Sequence, residues 1–158
     1  MNAIDALGAT RVQPSDAVGL LKFWRWLIPE SLNPVCVTKL GDLFLADESE
    51  SVWFLDVGTG SLERIADSTD AWTRTLSDPN QLNLWSAGPL VEKLEKAGLR
   101  LQEGECYTYW QSPMMGGEYD VRNFKVVPIQ MHFNIWGPLL ESVKDLPDGT
   151  RVRFKVVP

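Results

Sequence analysis

Apolar positions change their spacing several times along the chain, and each change marks an element. Val18, Leu21, Trp24, Leu27 and Ile28 recur at three- and four-residue intervals, the spacing that lines one face of a helix. Ser15 offers an oxygen to the free N–H groups at the start, and Pro29 and Pro34 bracket the end. The pattern predicts an amphipathic helix over 16–28. Residues 1–13 carry little pattern and are expected to be loosely attached.

The period then shortens. Val35–Leu40 and Leu43–Ala46 flank Gly41-Asp42, which reads as a two-residue hairpin turn, and Val52–Val57 and Ser61–Ile65 flank Gly58-Thr59-Gly60. Four strands of an antiparallel meander are expected. Residues 43–45 and 52–55 are continuously apolar, as central strands covered on both faces would be. Ser68 can cap a helix over 69–77, and a loop is expected through Asp78-Pro79-Asn80. A second helix over 89–97 opens at Pro89 and closes at Gly98, with Leu90, Val91, Leu94 and Ala97 inward. Cys106–Trp110 and Phe124–Val127 read as strands on either side of a turn-rich loop through Pro113–Gly117. Residues 129–143 read as a helix with Met131, Ile135, Leu139, Leu140 and Val143 inward and a potential kink at Gly137-Pro138. Pro147-Asp148-Gly149 is a turn, and 151–157 alternates like an edge strand or a tail. Strands in a run with helices around them predict an α+β fold, a mostly antiparallel sheet of about five to six strands flanked by helices, in a single domain.

Composition narrows the function classes. Fifteen basic against twenty-one acidic side chains leave a net charge of −6, which argues against non-specific attraction to nucleic acid. Seven tryptophans are many for 158 residues, and about two in three are expected in the core. Cys36 and Cys106 form no C-x-x-C pair and are expected as two buried free thiols. The start of the chain lacks the basic and apolar regions of a signal peptide, and no apolar run approaches the ~20 residues that span a bilayer, so the expected location is the cytoplasm.

No catalytic or metal-binding constellation is recognisable. His132 is the only histidine; between Met131 and Phe133, and with no nucleophile-elbow motif, it is expected to be a packed, hydrogen-bonded structural residue. One histidine and two isolated cysteines are thin for a metal, and Asp47-Glu48-Ser49-Glu50 lacks the spacing of a calcium loop. Gly58-Thr59-Gly60 and Gly116-Gly117 continue into neither a dinucleotide fingerprint nor a P-loop. No cofactor is expected. Charge distribution is the most usable signal: residues 42–70 hold eight acids and one base, Arg64, for a net −7. Brought together by hairpin loops, Asp47, Glu48, Glu50, Asp56, Glu63, Asp67 and Asp70 would form a patch suited to a basic partner; kept apart, they are solvated loop ends.

Several segments also look familiar as an ordered set: Phe23–Pro29, Gly41–Leu45, Val52–Gly60, Gly116–Asp120, His132-Phe133 and Lys144–Thr150. Together, over roughly residues 20–150, they resemble the immunity proteins that accompany type VI secretion DNase toxins, the Tdi-type family with its GAD-like region and a relation to SUKH-like folds. The resemblance implies a bacterial cytoplasmic protein that binds a cognate toxin, a nuclease with a basic surface, and blocks it without turnover, metal, membrane or nucleic acid. Trp53, Phe54, Asp56, Gly58, Gly60, Gly116, Gly117, Glu118, Tyr119 and His132 occupy its motif positions. Two other readings stay open: a SUKH-like adaptor with a cellular partner, and a small ligand-binding or enzymatic domain whose pocket the sequence does not reveal.

Overall fold

The computed structural model describes residues 2–153. In chain order the elements are α1 (Ala3–Leu7), β1 (Thr10–Arg11), α2 (Ala17–Leu21), β2 (Asn33–Val37), β3 (Leu43–Ala46), β4 (Val52–Asp56), β5 (Ser61–Ala66), α3 (Thr69–Thr75), α4 (Pro79–Ser86), α5 (Gly88–Lys96), β6 (Glu105–Tyr109), β7 (Phe124–Pro128) and α6 (Ile129–Val143). Strands β1 to β5 form an antiparallel sheet in sequence order, and β6 and β7 pair as a separate antiparallel hairpin. The fold is therefore α+β, as its run of strands with helices around them predicts.

The continuously apolar strands are the inner ones. Successive side chains of a strand point to opposite faces, so an unbroken apolar run needs cover on both. Leu43, Leu45 and Leu55 enter one core with Leu20, Leu21, Trp24, Tyr107, Phe133, Trp136 and Leu140. Phe44, Val52 and Cys36 enter a second core with Ile4, Leu7, Trp72, Leu76 and Trp85. The large sheet thus lies between α1, α3 and α4 on one face and α2, α6 and the β6–β7 hairpin on the other. Cys36 and Cys106 are both buried free thiols, and burial pushes the Cys36 thiol up to about 12 and raises that of Cys106 as well.

Some expectations are corrected. The 16–28 helix is α-helical only over Ala17–Leu21. Beyond Leu21 the chain tightens into turns, with the Trp24 and Leu27 N–H groups donating three residues back to Leu21 and Trp24. The buried Trp24 indole there donates to the Phe133 carbonyl at 2.9 Å, so a tertiary bond rather than helix periodicity sets this segment. Val18 is 80% exposed, and Ser15 lies within a 3-10 turn instead of capping a helix. Residues 3–7, expected to be loose, form a helix capped by Asn2 that buries Ala3, Ile4 and Leu7. Asp78-Pro79-Asn80 starts a helix rather than making a loop: the Asp78 carboxylate accepts the Asn80 N–H, and Pro79 fills a first-turn position that needs no donor. The β2–β3 turn spans residues 38–42, held by the Asp42 N–H donating to Thr38 Oγ1 and the Thr38 N–H to the Asp42 carbonyl. Ala97 is exposed.

Helix α6 runs unbroken through Gly137-Pro138. A Cβ at Gly137 would come within 2.6 Å of the Phe23 carbonyl oxygen, so glycine here lets the 22–28 segment lie against the helix. The buried face is His132, Phe133, Trp136, Gly137 and Leu140, one position round from the expected stripe, and Met131 is exposed. Residues 151–153 are irregular, and the rest of the 151–157 segment lies outside the described residues.

Candidate functional site

His132 is fully buried and both of its ring nitrogens are engaged. Nε2 lies 3.0 Å from the Gly41 carbonyl oxygen, which can only accept, so Nε2 carries the proton. Nδ1 then accepts from the Thr108 hydroxyl at 2.8 Å, and that oxygen accepts the Trp136 indole N–H at 2.8 Å. A neutral imidazole lets the Thr108 hydroxyl donate as well as accept, in keeping with a pKa pushed down by burial to about 4. The chain of bonds ties the β2–β3 turn to β6 and α6. Gly41 has φ +85°, and a Cβ there would strike the imidazole. His132 is thus the packed, hydrogen-bonded residue its apolar neighbours suggest, with no free nitrogen to offer a substrate.

Beneath the β4–β5 turn, Asp42 is buried with one carboxylate oxygen accepting the Val57 N–H at 3.0 Å. Burial, and secondarily the charge of Asp56, raise its pKa well above the usual carboxylate range. Asp56 shapes the same turn by accepting the Thr59 N–H, and the Gly60 N–H returns to the Asp56 carbonyl. The Gly58 carbonyl accepts the Ser112 hydroxyl at 2.7 Å, which anchors the 111–123 loop to the sheet. Within that loop Gly117 donates to the Ser112 carbonyl, Gly116 to Pro113, and the Asn123 amide to the Glu118 carbonyl. Glu118 and Tyr119 are exposed, and the Tyr119 ring meets Tyr109 edge-on at 6.2 Å. Trp53 and Phe54 are half-buried on opposite faces of β4, packed against the first and second core respectively.

The acids of the 42–70 segment divide between the ends of the sheet. Asp47, Glu48 and Glu50 lie in the β3–β4 connection, and Asp67 and Asp70 lie just beyond β5 at the same end. Arg64 joins these two loops, donating to Ser51 Oγ at 2.9 Å and pairing with Asp67 at 2.7 Å. Asp47 is committed to its own turn, accepting from the Ser49 and Ser51 N–H groups and from the Trp53 indole. Glu63 is exposed partway along the edge strand β5, and Asp56 sits at the opposite end. Five of the seven acids named from the sequence thus share one end.

A feature that local patterns do not reveal is an open groove of about 900 Å³ between the β6–β7 hairpin, the 111–116 loop, the second half of α6 and the 146–152 segment. Trp110, Met114 and Leu146 line it and are 64%, 57% and 43% exposed. Lys125 also lines it, with its ammonium 4.1 Å from the centre of the Trp110 ring. The contributors are scattered over more than forty positions, so only the exposed Trp110-to-Met115 run was there to be noticed. Among the described residues no group of three or more histidine, cysteine, aspartate and glutamate side chains is placed to hold a metal ion, and no helix is long and apolar enough to cross a membrane.

Residues 66–139 match the family model described as T6SS immunity protein Tdi1, C-terminal. Over this segment, just under half of the chain, the sequence is similar to the type VI secretion immunity family. The match takes in α3 to α5, the β6–β7 hairpin and α6 as far as Leu139, and with them Gly116, Gly117, Glu118, Tyr119 and His132. It begins at the end of β5, so the motif positions Trp53, Phe54, Asp56, Gly58 and Gly60 precede the matched segment. In fold the chain is similar to the crystal structure of Atu4351 from Agrobacterium tumefaciens, with a TM-score of 0.57 and 13% identity. That likeness covers 80% of this chain, more than the family segment alone, and 65% of the other chain. The chain therefore spans about two thirds of the length of that neighbour, and the likeness is one of fold. A search of curated proteins returns no match.

Proposed function

We propose that this chain is an immunity protein that binds a cognate type VI effector in the cytoplasm and neutralises it by covering its working face, and that the effector is a DNase. The observation that carries the reading is the immunity-family match over residues 66–139. Two features of the molecule support a binding rather than a turnover role: its one histidine is consumed by internal hydrogen bonds, and its net charge suits a cationic partner. A nuclease holds phosphate with cationic side chains, and the acids at the β3–β4 end, Glu48, Glu50, Asp67 and Asp70 with Asp47 and Glu63 beside them, compete for that surface. Asp56, at the other end, contributes to the long-range field but not to the same contact. Complementary fields of this kind speed encounter and suppress wrong partners.

Mixing the purified protein with its neighbouring effector tests this directly. A stoichiometric amount is expected to stop DNA cleavage and to yield a complex stable to gel filtration. The double reversal Glu48→Lys/Glu50→Lys is expected to weaken binding about tenfold, mainly through slower association and a shallower dependence on salt. Undiminished cleavage in the presence of excess folded protein rules the reading out.

A further inference from the structure

Resting on that immunity reading, we propose that the groove between β6–β7 and the second half of α6 receives a short apolar segment of the effector that carries a carboxylate, seated on Trp110 with its charge against Lys125. The walls suit a protein segment. Large apolar side chains left in water beside a well-packed floor are where binding energy concentrates; tryptophan is among the residues most often used there, and methionine adapts its shape to a partner. The floor is fixed before any partner arrives, because Trp136 is tied to Thr108 and Tyr109 packs against both Phe124 and Trp136.

Charge selects the occupant. Lys125 is half-buried and makes no ion pair among the described residues, while the Trp110 ring holds its ammonium at the groove. A half-buried cation without a counterion favours an incoming anion. Lys125 on β7 and Asp148 on the segment after α6 are the charged residues that line the groove, so the anion is received on the Lys125 side. An effector with a basic nuclease face would meet the acidic end, and an apolar, acidic segment of it would meet the groove, so the two surfaces prefer opposite chemistries and fix one orientation.

The test uses the full chain and the purified effector toxin domain. Trp110→Ala and Lys125→Glu alter exposed or half-exposed positions, and unchanged thermal melts confirm folding. Trp110→Ala is expected to weaken binding at least thirtyfold and Lys125→Glu at least tenfold, with Lys125→Arg close to wild type. A photo-crosslinking residue in place of Met114 is expected to capture an effector peptide that is apolar and contains Asp or Glu. Wild-type binding with no loss in either variant overturns the groove and leaves the immunity reading intact. A crosslink to a second copy of this chain, or to an effector peptide that is basic, also overturns it. Failure of the wild-type protein to bind the effector removes both proposals together.

Discussion

The two faces of the large sheet are held in different ways. On the face covered by α1, α3 and α4, Phe44 is the hub of an aromatic cluster, with ring centres 4.8 Å from Trp72, 4.9 Å from Phe54 and 5.7 Å from Trp85. Its residues come mostly from adjacent strands and from two consecutive helices. On the face covered by α6 and the β6–β7 hairpin, an apolar core surrounds the chain of bonds from Trp136 through Thr108 and His132 to Gly41. Aromatic packing is tolerant of small shifts, whereas a buried polar chain is stable only when each member has its partner. The second face therefore fixes orientation: it sets how α6 sits on β6, and with it the shape of the groove.

Removing the hub should have the largest effect. Phe44→Ala is expected to cost about 3–5 kcal/mol, because the ring is fully buried and β3, an inner strand, cannot move to fill the space. Denaturant unfolding would measure it, and a loss below about 1 kcal/mol would show that α3 and α4 collapse onto the sheet more readily than the packing suggests. On the other face the cost comes from orphaned groups rather than from lost volume. Thr108→Val keeps the shape but strips the hydroxyl from both His132 Nδ1 and the Trp136 indole, at about 2–4 kcal/mol. Thr108→Ser keeps the hydroxyl and should lose about 1 kcal/mol, the worth of one buried methyl. Equal losses in the two variants would mean that this face, too, is held by packing alone.

The same difference explains what could be read from the sequence. The strands β2 to β5 and the cap at Ser68 were legible because their signals are local: short runs of apolar or alternating residues between turn glycines and prolines, and an oxygen that accepts the Ala71 N–H three residues on. The signal at the start of helix α4 is ambiguous, since an aspartate followed by proline begins a helix as well as a loop. The face of α6 was out of reach of an apolar stripe, because one of its most buried side chains is His132, whose partners stand 24 and 91 residues away. The end of α2 was likewise set by the Trp24 bond to Phe133, 109 residues distant. The acids were all visible, but which of them share an end depends on strand register, and Asp56 went to the other side from Glu48 and Glu50. The groove has no local signature.

The subtlest prediction uses pH to separate the polar face from the aromatic one. His132 is held neutral, with a folded pKa of about 4 against about 6.5 in an unfolded chain. Its contribution is complete above pH 6.5 and is lost as pH falls towards 4, because the unfolded chain takes up a proton that the folded one refuses; the full window is worth on the order of 3 kcal/mol. Asp42 acts with the opposite sign. Its folded pKa is raised, chiefly by burial, so the folded chain keeps a proton that the unfolded one releases, and acidification through that window stabilises the fold. In the wild type the two trends oppose one another. Asp42→Asn keeps an oxygen for the Val57 N–H and removes the buried charge. Its urea midpoint at pH 7.5 should lie slightly above that of wild type, by less than either loss above. Between pH 6.5 and 4.5 its stability should fall more steeply, because the histidine trend is no longer offset. Phe44→Ala, on the aromatic face, should shift the whole curve down without changing its slope. If the Asp42→Asn and wild-type curves run parallel across that range, Asp42 holds no proton in the folded state, and the polar face owes its pH response to His132 alone.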